Sequence, residues 1–137
     1  MCDIDKDGVN DFVIAERTQA PALVWYRRTA PGWTKYVVED QPLHIEAGSD
    51  SLDIDGDGDL DIWVAEMRLN NGNPDAKNML LLGDGTGKFQ TVSISEGIAN
   101  HESRIADLDG DGDYDVLGKP YAWQTPRLDI WLNEGTE

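Results

Sequence analysis

Aspartates recur at alternate positions in three short stretches of the chain: Asp3, Asp5, Asp7 and Asp11; Asp53, Asp55, Asp57 and Asp61; Asp107, Asp109, Asp111 and Asp115. Each stretch places them at positions 1, 3, 5 and 9, with glycine at position 6 (Gly8, Gly58, Gly112) and an apolar pair immediately after (Phe12-Val13, Ile62-Trp63, Val116-Leu117). Four carboxylates this close repel one another, so a compact loop that holds them calls for a cation at its focus. Alternating carboxylates with a carbonyl at position 7 suit calcium, which takes about six to eight oxygens in a flexible geometry. Magnesium gives up its water reluctantly and seldom sits in an all-protein cage.

Two other readings of the pattern fail. The helix-flanked EF-hand loop closes with a bidentate Glu at position 12. Here position 12 is Ile14, Val64 or Gly118, and the residues after each loop are apolar and largely β-branched or aromatic, so each loop runs into a strand. A solvated acidic turn would account for one copy, since Asp and Gly are ordinary turn residues. Nothing in turn chemistry asks for Asp at the ninth position in all three copies.

The elements that must hold these loops are short strands. Before and within the first unit, 11–15, 22–26 and 33–39 read as strands, broken by Gln19-Ala20-Pro21 and Pro31-Gly32. The second unit runs 46–52, loop, 61–66, a break at Asn71-Gly72-Asn73-Pro74, 78–83, a tight hairpin at Asp84-Gly85-Thr86-Gly87, and 88–94. The third runs 103–106, loop, 114–117, a proline-bounded segment over 119–126, and 128–133. Loops recurring about every 50 residues in four-stranded antiparallel meanders match the blade of a β-propeller. A parallel β-helix has much shorter repeats, and a sandwich gives no reason for a long internal period. The expected architecture is therefore all-β: one propeller segment over 1–137, divided into a partial blade at 1–43, a full blade at 44–97 and a partial blade at 98–137.

Composition agrees with a folded chain that handles metal. An apolar fraction of 39% with five Trp and four Tyr is enough for a core. The formal net charge is −16, and about half of the 27 acidic residues stand in the three loops. Much of the acidity is thus metal demand, and the remainder argues against nucleic acid or an anionic membrane as partner. The single cysteine, Cys2, excludes an intrachain disulfide. No apolar run approaches the ~18 residues of a membrane span. Weak calcium loops saturate where calcium is abundant, which points to an extracellular, periplasmic or cell-surface location, with any export signal lying outside this chain.

The pattern Asp-x-Asp-Gly-Asp-Gly-x-x-Asp with its apolar pair, and the later Leu-Leu-Gly-Asp-Gly-Thr-Gly-Lys-Phe and Trp-Leu-Asn-Glu-Gly, resembles the FG-GAP and VCBS-type repeats of bacterial extracellular propellers and integrin α-chain heads. The first copy departs in having Lys6 where Gly is usual and Asn10 near its end, with all four carboxylates kept. The resemblance implies that calcium clamps the turn between a blade's first two strands, on the side opposite the usual ligand-binding face. It implies three ions: one on Asp3, Asp5, Asp7, Asp11 and the Val9 carbonyl; one on Asp53, Asp55, Asp57, Asp61 and the Asp59 carbonyl; one on Asp107, Asp109, Asp111, Asp115 and the Asp113 carbonyl. The resemblance also implies closure with about six to eight blades. The expected partners are accordingly the remaining blades of a longer chain, or further copies of this one.

On the face away from the loops, the sequence offers His44, Glu46, Arg68, His101, Glu102, Lys119, Tyr121 and Trp123 as candidate ligand-binding residues, with Glu16 and Arg17 in the same stretches. Such a set could bind a glycan by stacking and hydrogen bonding. The function this supports is a calcium-stabilised extracellular binding scaffold for carbohydrate or another macromolecule. The alternative is part of a propeller-type polysaccharide lyase, with His101 or His44 and Tyr121 moving a proton on a uronic substrate. Trp25, Trp63 and Trp131 lie in apolar strands and read as core between blades. No serine triad, phosphate-binding loop or zinc-spaced His/Cys set is present.

Overall fold

A computed structural model describes residues 2–68, 72–121 and 127–135. Every regular element among them is a β-strand: β1 (Phe12–Ala15), β2 (Leu23–Thr29), β3 (Gly32–Glu39), β4 (Ile45–Leu52), β5 (Asp61–Glu66), β6 (Lys77–Gly83), β7 (Phe89–Glu96), β8 (Glu102–Ala106), β9 (Asp115–Lys119) and β10 (Asp129–Trp131). These are the ten strands expected from the apolar alternation, with ends shifted by a few residues. The shifts fall where a strand runs into a turn, and the apolar pattern carries least information there.

The strands form a three-stranded antiparallel sheet, β1-β2-β3, and a curled seven-stranded mixed sheet in the order β10-β9-β8-β4-β5-β6-β7. The larger sheet is two antiparallel meanders joined where β4 meets β8 in parallel, with Ala47 opposite Glu102. A hydrogen bond from the Ile105 N–H to Asp50 Oδ2 (3.2 Å) ties the same two strands further along. The chain thus consists of three units, β1–β3, β4–β7 and β8–β10, and each acidic loop occupies the same place in its unit. Leu52 pairs with Asp61 and Ala106 with Asp115 at the mouths of the second and third loops. At the first loop, where no full strand precedes, an isolated bridge between Cys2 and Asp11 takes that place.

The core lies between units. One cluster joins Ala22 and Leu23 of the first unit to Ile45, Ile62, Val64, Met79 and Leu81 of the second. The other joins Ile54, Trp63 and Ala65 of the second to Val116 of the third, with Leu80, Leu82, Ile105 and Trp131 packed around them. The middle unit is therefore covered on both faces, and all six residues of β5 are buried. That explains why Asp-Ile-Trp-Val-Ala-Glu is a continuous apolar run at its centre and does not alternate. Burial of a large side chain such as Trp63, at 2% exposure, contributes about 1.5–3 kcal/mol. The outward faces of the outer units stay open, with Val37 of the first 53% and Ile130 of the third 56% exposed.

Trp25 and Trp63 are buried and Trp131 half-buried, as their strand positions require. Trp63 and Trp131 meet with ring centroids 5.3 Å apart across the second and third units. Trp25 stacks on Tyr36 within its own sheet and presses its ring against the β6–β7 hairpin of the middle unit. A Cβ at Gly87 would lie 2.0 Å from that ring, and Gly87 has φ of +84°. Gly87→Ala is accordingly expected to part the first two units and to cost about 2–3 kcal/mol, from overpacking and left-handed strain together. Urea unfolding checks this, and an unchanged midpoint would contradict the packing described.

Candidate metal centres

Each loop is a ladder of carboxylates capping backbone N–H groups two to five residues on, a conformation that Asp adopts readily. In the second loop, Asp53 Oδ1 accepts from the Gly56 N–H (2.9 Å) and Oδ2 from the Gly58 N–H (3.0 Å). Asp55 and Asp57 each accept from the residue two further on, at 3.2 and 2.8 Å. The third loop repeats the set with Asp107 on Gly110 and Gly112, Asp109 on Asp111, and Asp111 on Asp113. In the first, Asp3 accepts from Asp7 and Gly8, and Asp7 from Val9. These backbone contacts curl each loop so that its carboxylates converge.

Three triads result whose ligand oxygens lie within 4.8 Å of one another: Asp3, Asp5 and Asp11; Asp53, Asp55 and Asp57; Asp107, Asp109 and Asp115. Their chemistry suits a hard cation with oxygen ligands. One buried atom points the same way, since Asp5 Oδ1 has no hydrogen-bond donor. Burial raises the Asp109 carboxyl above its ordinary value, and repulsion from Asp111 and Asp115 nearby adds to this. A divalent ion at the focus would relieve that repulsion.

The ninth-position aspartates have a further task that their spacing did not disclose. Asp11, Asp61 and Asp115 are buried, and each holds the strand after the one its loop leads into: β2, β6 and, just past its end, β10. Asp61 Oδ1 accepts from the Gly83 N–H at the end of β6 and Oδ2 from the Ile54 N–H, both at 2.9 Å. Asp115 accepts in the same way from Asn133 (2.9 Å) and Leu108 (2.7 Å). Asp11 accepts from the Arg28 N–H (2.7 Å) and from Trp25 Nε1 (3.0 Å). At Asp115 the two N–H donors hold the carboxyl below its usual range; at Asp61 burial outweighs them and raises it. Asp61 lies outside the second triad, whereas Asp11 and Asp115 belong to theirs.

The loops also differ in their neighbours. Arg27 on β2 pairs with Asp5 and with Asp7 (3.0 Å), so the first loop has a guanidinium beside its carboxylates. Lys6 of the same loop pairs with Asp59 of the second. Lys6 sits at φ of +55°, where the other two loops have Gly56 and Gly110. The position-7 side chains of Asp59 and Asp113 turn away from their own loops toward Gly85 and Gly135, where a Cβ would come within 2.5 Å of a carboxylate oxygen.

The candidate ligand-binding residues lie at the opposite ends of β4 and β8 from the loops. Glu46 accepts from Arg17 Nη1 (3.1 Å) and lies 3.3 Å from His101 Nε2, so one side chain from each unit meets at this point. Tyr121 stands edge-on to the His101 ring with centroids 5.0 Å apart, and Glu102 Oε1 lies 3.7 Å from His101 Nδ1. Lys119 contributes its carbonyl, which accepts from the His101 N–H (2.8 Å). His44 is exposed at a cavity of about 240 Å³ that Arg17, Thr18, Met67 and Asn73 also line. Its N–H donates to Glu66, a buried carboxylate that also takes the Lys77 N–H and so closes the β5–β6 connection. Arg68 is exposed and outside this group, and Trp123 lies outside the described residues.

The fold and loops together define an all-β repeat protein organised around acidic turns. Residues 53–118, from the second loop into β9, match the family model of the FG-GAP-like repeat. No curated protein and no solved structure matches the chain.

Proposed function

We propose that the chain is a calcium-stabilised β-propeller segment that serves as an extracellular binding scaffold. What carries this reading is the division of labour between the two ends of β4 and β8: carboxylate triads at one end and the Arg17–Glu46–His101–Tyr121 group at the other. Calcium is the ion that the oxygen-only triads favour and that the matched repeat family implies. Asp53, Asp55 and Asp57 would hold one ion and Asp107, Asp109 and Asp115 another, with Asp3, Asp5 and Asp11 offering a third place. The ion neutralises the clustered charge and so locks the turn between a unit's first two strands.

The open outer faces of the first and third units fit further blades, supplied by a longer chain or by other copies of this one. The ligand face is proposed to take carbohydrate, with Tyr121 as stacking surface and Arg17, His101 and Glu102 as polar contacts. Glu46 is already engaged by Arg17 and by His101, which makes it a link between units more than a free acid or base. His101, with Glu46 at Nε2 and Glu102 near Nδ1, is likewise held in place, which favours binding over the lyase reading. Incubation of the protein with uronic polysaccharides separates the two. Binding without unsaturated product, weakened by Tyr121→Ala, is the expected result. Product that His101→Ala abolishes would establish the lyase instead, and the absence of glycan binding would remove carbohydrate as the ligand.

A further inference from the structure

The first loop is not equivalent to the other two. Its unit places Arg28 where the second and third units place Gly83 and Asn133, since these three N–H groups hold Asp11, Asp61 and Asp115 in turn. The preceding position is therefore Arg27 in the first unit and Leu82 or Leu132 in the others. A leucine there can only pack. The arginine reaches the loop, with its Nε against Asp5 and its Nη2 3.0 Å from Asp7 Oδ2.

A guanidinium fixed on two carboxylates supplies part of the charge that calcium supplies in an acidic loop. An ion entering there has to share or displace it, and like charges held so close oppose each other. The loop has not lost its capacity, because Asp5 Oδ1 remains buried, without a donor, beside Asp3 and Asp11. Among the described residues, no ion pair is found on the carboxylates of the third loop, and in the second loop Lys6 pairs with Asp59, which would ligate through its carbonyl, and acts on Asp57 and Asp53 only through space. We propose that Arg27 is a resident counter-ion of the first loop, that it makes this loop the weakest of the three calcium sites, and that calcium binding there displaces the guanidinium.

The inference rests on the calcium reading given above, and one titration separates the two. Isothermal titration of the whole chain with calcium is expected to show two tight steps and a third at least about tenfold weaker, the cost of breaking a charge-assisted pair. Arg27→Leu, which installs the residue of the sister units, is expected to tighten the third step at least about tenfold toward the other two. Asp5→Asn is expected to remove the weak step and leave both tight ones, and it serves equally if Arg27→Leu folds poorly. Three equal steps in the native chain, an unchanged third step in Arg27→Leu, or loss of a tight step in Asp5→Asn would overturn the role of Arg27. No calcium binding by any of the proteins would overturn the calcium reading itself.

Discussion

Calcium added to the chelated protein is expected to raise its Tm by roughly 10–20 °C. A ligand that binds only the folded state stabilises it by about 2.7 kcal/mol per site at a hundredfold excess over Kd. Two well-formed triads, on the second and third loops, then contribute about 5 kcal/mol, and each kcal/mol moves the Tm of a domain of this size by roughly 2–4 °C. The unfolded chain cannot bring three aspartates of one loop within 4.8 Å of one another at no cost, so the ion belongs to the folded state alone. Magnesium at the same concentration should give much less, because it resists dehydration into a protein cage. Calorimetric scans in calcium, magnesium and chelator test the claim, and coincident melts in calcium and chelator would refute it.

Asp61→Ala is expected to cost about 2–6 kcal/mol, and to do so even in chelator. Its two oxygens hold the Ile54 and Gly83 N–H groups in a site 1% exposed, and each buried donor left without a partner costs about 1–3 kcal/mol. Asp57→Ala makes the contrast. Asp57 is exposed and caps only the Asp59 N–H, so its removal should matter little in chelator and should reduce the calcium-induced gain. Asp61 would then be a brace, and Asp57 a ligand first. Urea denaturation of both variants, with and without calcium, decides this. An Asp61→Ala penalty that appears only in calcium would show that the hydrogen bonds to Ile54 and Gly83 contribute nothing of their own.

Most of the architecture was legible because the sequence signals were local. The alternation in Lys88-Phe89-Gln90-Thr91-Val92-Ser93-Ile94 and the glycine-rich turn before it specify a hairpin without outside help, and β6 and β7 pair through it from Gly83 opposite Phe89. Trp63 was legible as core because an indole in a continuous apolar run of a central strand has nowhere else to go. The contacts between units were not legible, because they join residues far apart in sequence. Nothing in the spacing says that Arg27 reaches Asp5, that Lys6 reaches Asp59, or that Trp25 requires a glycine at 87. Aligning the three units on their ninth aspartates does not expose Arg27 against Leu82 and Leu132 either, because the connections between strands differ in length, and only the N–H groups that hold those aspartates bring the three positions into register.

The ligand face shows the same limit from the other side. Glu46, His101, Glu102 and Tyr121 were read as sharing one face from the turns they lie in, and His101 lies beside the other three. Arg17, read from the sequence as part of the same stretches, completes the link to the first unit through Glu46, a pairing that its position after β1 did not disclose. His44 and Arg68 share that face but not that cluster, since side chains at strand ends diverge as soon as the backbone leaves the sheet.

Location of the ion itself is the most direct test of the acidic loops as cation clamps. Crystals grown in calcium and measured at a wavelength where calcium scatters anomalously should show a peak inside the triad of Asp53, Asp55 and Asp57 and another inside that of Asp107, Asp109 and Asp115. Each peak should lie about 2.3–2.6 Å from its carboxylate oxygens. Crystals at millimolar calcium with ordered loops and no anomalous peak in either triad would contradict the account.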